Sequence, residues 1–223
     1  MAEFTLVIGN KNYSSWSLRG WLMAKVAGID FEEIVIPLDR PETQAAIRKH
    51  SPSGRVPVLL HRGLAIWETL AIAEYLNDLK PEAGLWPPSA AARAHARAIS
   101  AEMHAGFAEL RNNMPMNIRT SFAGKGMTPG VRTDVERIFW LWRDCRKRFA
   151  GAFQQDDGFL FGKFGAADAM FAPVATRFKT YAVPLDQDAE AYCNAVLNHP
   201  AMKEWIDAAQ HEPWLIDRYE QIK

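Results

Sequence analysis

The hydrophobic period of this chain changes once, near Lys80, and that change limits the possible fold more than any other feature. Before it, short β-branched runs alternate with helical spacing. Phe4-Thr5-Leu6-Val7-Ile8, closed by Gly9, reads as a buried strand. Ser14 or Ser15 can cap a helix that carries Leu18, Trp21, Leu22 and Val26 and stops at Gly28. Glu33-Ile34-Val35-Ile36 is a second strand, halted by Pro37, and Pro41 to His50 reads as a short helix with proline in its first turn. Val56 to Leu60 and Leu64 to Trp67 flank His61-Arg62-Gly63 as a hairpin, and Thr69 opens another helix. The order is β-α-β, α, β-β, α. It predicts a parallel first pair with a right-handed crossover, an antiparallel last pair, and a small mixed sheet with helices on its faces.

After Lys80 the strand pattern ends. Residues 81–88 are rich in Pro and Gly and read as a linker. Ser89 to Asn113 reads as one long helix, with Met103, Phe107, Leu110 and Met114 along one stripe and Pro115 ending it. Asn117 to Pro129 is a polar loop. Thr133–Phe149, Asp168–Tyr181, Asp188–Asn198 and Pro200–Gln210 follow as helices. Gly165, just before the Asp168 helix, offers no capping hydroxyl, and Asp168 can bond backbone N–H groups near the helix start in a structural role. The chain therefore divides into an α/β domain over 1–80 and an all-α domain over 89–223.

Composition excludes several functions. Of 223 residues, 26 are basic and 26 acidic, so no polycationic surface is available for nucleic acid or an anionic membrane. No apolar run approaches the roughly 18 residues of a membrane span. Met1-Ala2-Glu3-Phe4 lacks the basic start and long apolar stretch of a secretory signal. Two cysteines, Cys145 and Cys193, are too few for a disulfide framework or a cysteine zinc site, and they point to a cytoplasmic location. The six histidines form no HExxH, so no metal is expected.

Four features in the first 80 residues can carry chemistry. Ser14 and Ser15 lie where the first strand meets a helix N-terminus; they are either plain caps or hydroxyls aimed at an anion. Val56-Pro57 begins a strand, and its isomer is open from sequence. Glu68-Thr69 precedes a helix, where Thr69 is either an ordinary cap or part of a carboxylate site, with Glu68 suited to an ammonium. Arg55 can meet a carboxylate or simply face water.

Taken together, Ser14-Ser15-Trp16-Ser17-Leu18-Arg19, the segment Ser51 to Leu59 around Pro57, and Glu68-Thr69 resemble the motifs of the cytosolic glutathione transferases, with a zeta-like serine motif. The linker and helical remainder match that family's second domain. The resemblance implies a thioredoxin-like N-terminal domain followed by an all-α domain, glutathione as co-substrate, and usually a homodimer. It implies that Ser14, or Ser15 if the register slips by one, bonds the glutathione sulfur. Val56 would pair with the cysteinyl backbone, and Pro57 would be cis. Glu68 and Thr69 would hold the γ-glutamyl headgroup, with Arg55 assisting nearby. A small hydrophobic electrophile would lie between the domains, against Trp16, Met103, Phe107, Met114 and Met116, with His104 and Arg111 as polar contributors.

The zeta pattern has Cys where this chain has Trp16, which weighs against isomerase activity. The absence of Cys from 1–80 weighs against a protein-thiol mechanism. Tyr13 leaves a tyrosine-type activator open. The competing readings are a binding module without turnover, and a glutathione-dependent isomerase or peroxide-reducing enzyme.

Overall fold

The computed structural model describes residues 3–222. Met1, Ala2 and Lys223, which bound the two regions read from sequence, lie outside the described residues, as does the start of the segment read for a leader.

The strands are β1 (Phe4–Gly9), β2 (Phe31–Ile36), β3 (Val58–His61) and β4 (Leu64–Trp67), ordered β2-β1-β3-β4. β1 pairs parallel with β2, whereas β1–β3 and β3–β4 are antiparallel, as the sequence predicts. Leu6, Ile8 and Leu59 enter the large core beneath the sheet, while Val7 and Val58 face a smaller cluster on the other side. Helices α1 (Ser15–Val26) and α3 (Thr69–Leu79) cover the large-core face, and α2 (Thr43–Arg48) packs by β2.

The remaining elements are helical: α4 (Ala90–Ala105), α5 (Ala108–Asn113), α6 (Pro129–Phe149), α7 (Ala166–Tyr181), α8 (Gln187–Asn198) and α9 (Pro200–Gln210). The expected single helix over Ser89–Asn113 is in fact two. Gly106 caps α4 in an extended conformation and Phe107 takes a left-handed one, with φ of 56°. The break redirects the chain before Pro115, and helical spacing alone does not register it. Helix α6 starts earlier than read, with Thr128 as cap and Pro129 in the first turn, a position where the missing N–H costs nothing.

Helix α7 runs through the middle of the core and joins the two halves. The buried Arg19 of α1 donates from Nε to the Met170 carbonyl at 2.8 Å. At the α7 start, Asp168 accepts from Leu160 N and Tyr192 OH at 3.0 Å and from Gly165 N at 2.9 Å. Its full burial pushes the carboxyl up to about 6, despite those three donors. Gly165 has a reason beyond capping: Ala166 N bonds the Leu85 carbonyl at 2.8 Å, and a Cβ at Gly165 would sit 2.8 Å from that oxygen. The linker is thereby fastened to α7.

Candidate active site

Ser14 caps α1. Its Oγ accepts weakly from Ser17 N at 3.4 Å and donates to Ser17 Oγ at 2.8 Å. Ser17 Oγ also accepts from Gly9 N at 2.9 Å, which ties the end of β1 to the first turn of α1. The first helical bond runs from Leu18 N to Ser14 O, so the N–H groups of the preceding turn are free of helical partners. The α1 axis lies against the Val56-Pro57 turn because residue 20 is glycine: a Cβ there would meet Pro57 Cγ at 2.8 Å. The Val56–Pro57 peptide bond is cis.

Glu68, not Thr69, occupies the cap position of α3. Its φ is 68°, an uncommon value for a non-glycine residue, and its side chain makes no capping bond. The expected Thr69 cap is displaced by one residue, because the chain turns at Glu68 and leaves Thr69, 1 % exposed, as the first helical residue. Ile72 N bonds Glu68 O at 3.0 Å, so the N–H groups of Thr69, Leu70 and Ala71 have no helical acceptor. A helix start with unpaired donors and positive dipole is a carboxylate site.

These pieces meet in one cavity of about 600 Å³. Ser14, Ser15, Arg55, Val56, Pro57, Glu68 and Thr69 all line it, together with Trp16, Ser53 and Leu38. The helical side supplies His104, Arg111, Met116 and Arg177. The expected apolar wall is largely absent. Met103, Phe107 and Met114 are buried in the core, at 0 %, 7 % and 0 % exposure, and do not line the cavity; of the four apolar residues expected from the second region only Met116 does, whereas the expected polar contributors His104 and Arg111 both line it. The stripe faces the core on both sides of the Phe107 break, Met103 from α4 and Leu110 and Met114 from α5 and its end.

Cationic groups take the place of the stripe. Arg19 stacks over Trp16 at 4.5 Å and Arg111 lies 5.8 Å from the same ring. Arg177, 3 % exposed, donates to Met114 O at 2.8 Å and Pro173 O at 3.2 Å. Burial, with Arg111 nearby, pulls its pKa down to about 10, and burial with the other two guanidiniums pulls Arg19 well below its ordinary value. Among the described residues none of these three is paired with a carboxylate. His104 Nε2 lies 3.6 Å from the Glu68 carboxylate, and its ring meets Trp16 edge-on at 5.1 Å.

Sequence reasoning missed Ser17, Arg177 and the segment after Gln210, of which Ile216, Arg218 and Tyr219 reach the cavity. Ser17, three residues past Ser14 and so on the same helix face, could have been found from spacing. Nothing periodic marks the others. Tyr13 is not free for thiol chemistry. Its hydroxyl donates to Glu220 and accepts from Arg119 Nη2 at 3.1 Å, and burial together with that carboxylate raises its pKa. Cys145 and Cys193 are buried far along the chain, and burial pushes both thiols up to about 12.

A thioredoxin-like sheet joined to a helical bundle, with a cavity at their junction, is the glutathione transferase architecture. Residues 13–79 match the family model for the glutathione S-transferase N-terminal domain. The chain is 35% identical over 174 residues to maleylacetoacetate isomerase of Rattus norvegicus, covering 77% of this chain and 76% of that protein. A probable maleylacetoacetate isomerase of Caenorhabditis elegans is 36% identical over 98 residues; that match spans 45% of its length, less than half. Among solved structures, a glutathione transferase homolog from Burkholderia gl BGR1, with bound glutathione, superposes with a TM-score of 0.68 at 22% identity, over 93% of this chain and 97% of that one. The chain belongs to the cytosolic glutathione S-transferase family. No helix among the described residues is long and apolar enough to cross a membrane.

Proposed function

We propose that this protein is a glutathione transferase that activates glutathione as a thiolate through Ser14 and adds it to a small electrophile. The carrying observation is that Ser14, the cap of α1, shares one cavity with Val56, Glu68 and Thr69. Residues 1–80 hold glutathione: Thr69 and the α3 start take the γ-glutamyl carboxylate, Glu68 the ammonium, and Arg55 the glycyl end. Residues 89–223 supply the electrophile side, with 81–88 joining the two. Ser15 lines the same cavity one residue on and is the alternate donor.

The energies suffice. A free thiol has a pKa near 8.5, and lowering it by about 2 units takes about 2.7 kcal/mol of preferential thiolate binding. One charge-assisted hydrogen bond contributes about 1.5–3 kcal/mol and a helix N-terminus about 0.3–1 kcal/mol. When Ser14 turns its proton to the sulfur, Ser17 can return a proton to Ser14 Oγ, because a hydroxyl both donates and accepts. Orientation of thiolate and electrophile supplies the rest.

Ser14→Ala should lower turnover at least tenfold while glutathione affinity stays within a few-fold, measured with a generic aryl halide. Unchanged conjugation would remove Ser14 from the mechanism.

A second reading is favoured by Arg111 and Arg177. Two guanidiniums at the cavity without carboxylate partners suit an electrophile that carries a carboxylate, as in glutathione-dependent isomerisation of an unsaturated acid. The names of the rat and worm relatives support it. Comparing an aryl halide with an unsaturated dicarboxylate substrate separates the two. We read the chain as a cytoplasmic homodimer; the exposed Leu64 and Trp67 on the edge strand β4 support association, and light scattering at working concentration tests it.

A further inference from the structure

The loop that carries Ser14 is held less by the sheet than by the far end of the chain. Within the loop, Asn10 O accepts from Tyr13 N at 3.2 Å and Ser14 N at 2.8 Å. Outside it, the fully buried Asn12 side chain donates to Asn117 Oδ1 at 2.8 Å and accepts from Ile118 N and Arg119 N at 2.8 and 2.9 Å. The N–H groups of Lys11 and Asn12 end on the Glu212 carboxylate at 2.6 and 2.9 Å. Tyr13 donates its hydroxyl to Glu220, and Asn117 Nδ2 donates to the same oxygen at 2.9 Å and to Tyr219 O at 3.0 Å. Ile216 and Tyr219 of this segment also wall the cavity.

We propose that Glu220 and Asn117 are positioning residues for thiol activation: they fix Tyr13 and Asn12, and through them hold Ser14 at the cavity. The proposal rests on the serine mechanism above and adds a dependence that the family model, which ends at residue 79, does not contain. Tyr13 and Asn117 are 5 % and 1 % exposed, while Glu220 is half-buried, so the network meets water only from the Glu220 side. Buried hydrogen bonds are strong when complete, and costly when one partner is removed. Without Glu220 the Tyr13 hydroxyl and the Asn117 amide each lose an acceptor, and the turn before Ser14 loses its outer support. Small displacements of a reacting group cost up to about a hundredfold in rate.

The test compares the full chain with Glu220→Ala, Glu220→Gln and Ser14→Ala. It reads the ultraviolet absorbance of bound glutathione thiolate against pH, kcat, KM for glutathione and melting temperature. Glu220→Ala should lower kcat about tenfold and raise the pKa of the bound thiol by about one unit, with KM within about threefold. Glu220→Gln keeps an oxygen acceptor for Tyr13 and Asn117 and should restore most of both. If Glu220→Ala does not fold, Tyr13→Phe, which removes only the hydroxyl, is read the same way. Should Ser14→Ala lose the thiolate while Glu220→Ala, or Tyr13→Phe in its place, keeps wild-type thiol pKa and kcat, the serine mechanism stands and the positioning role falls. A lowered melting temperature without a change in thiol pKa also overturns it. Should Ser14→Ala itself retain the wild-type thiol pKa, the serine mechanism fails and this proposal with it.

Discussion

The two walls of the cavity are built in different ways. On the sheet side, Ser14, Val56 and Thr69 each stand where a strand or turn meets another element: Ser14 caps α1 just after β1, Val56 precedes the cis Pro57, and Thr69 follows the positive-φ Glu68. Their placement follows from local chain geometry. On the helical side, the Arg111–Met116 stretch, Arg177 and Tyr219 come from three segments far apart in sequence, and they meet only because the bundle brings them together. A site at element junctions can be read from a short stretch of chain. A site on helix faces depends on which face is turned inward, and here the packing of α4 on α7 and of α5 on α6 set it.

Substitutions at four positions probe that difference. The largest effect is expected at Asp168, which anchors the helical side. Asp168→Ala strands the N–H groups of Leu160 and Gly165 and the hydroxyl of Tyr192, each at about 1–3 kcal/mol, a large share of the roughly 5–15 kcal/mol that holds a domain folded. Urea unfolding should show a sharply lower midpoint; a loss under about 1 kcal/mol would mean that the bundle does not lean on this residue. The native carboxyl titrates at about 6, above the ordinary 3.8, so the folded state holds this proton more tightly than the unfolded one. Its contribution to stability is therefore full below about pH 4 and declines as pH rises to about 6. Relative to Asp168→Asn, which does not titrate, the melting temperature of the wild type should fall as pH rises across that window and stay level above it.

Next comes Met103→Ala. As a core residue it should cost about 2–5 kcal/mol in stability and leave KM for the electrophile unchanged at a temperature where the variant stays folded. Met116→Ala, buried but bordering the cavity, should lower stability and also change KM for the electrophile. If Met103→Ala shifted electrophile KM at unchanged stability, the inward reading of the stripe would be wrong.

The smallest effect is expected on the sheet side. Thr69→Val should raise KM for glutathione several-fold, a loss of about 1 kcal/mol of binding, while kcat at saturation and the melting temperature barely move. Unchanged affinity for glutathione would contradict the headgroup assignment.

What could be read from sequence tracks the range of the interactions involved. The β-α-β and hairpin order, the Ser14 cap and the Glu68-Thr69 helix start depend on periods and turn residues within a few positions, and all are present in the structure. The one-residue error at Thr69 arose because a left-handed Glu68 leaves no mark in residue type. Gly20 and Gly165 were legible as glycines but not as the contact points that let Pro57 and Leu85 come close.

By itself, the sequence determined the fold class, the parallel and antiparallel pairings, and the cluster of polar residues at the starts of α1 and α3. Hydrophobic period and backbone stereochemistry act over one or two turns of chain, and these features need nothing longer. Only the tertiary structure decided that the methionine stripe points into the core, that guanidiniums surround Trp16, and that Glu212 and Glu220, from the last part of the chain, bond the Ser14 loop. Those outcomes come from packing and hydrogen bonding between residues on separate elements, where the direction of each helix face is set by all its neighbours at once.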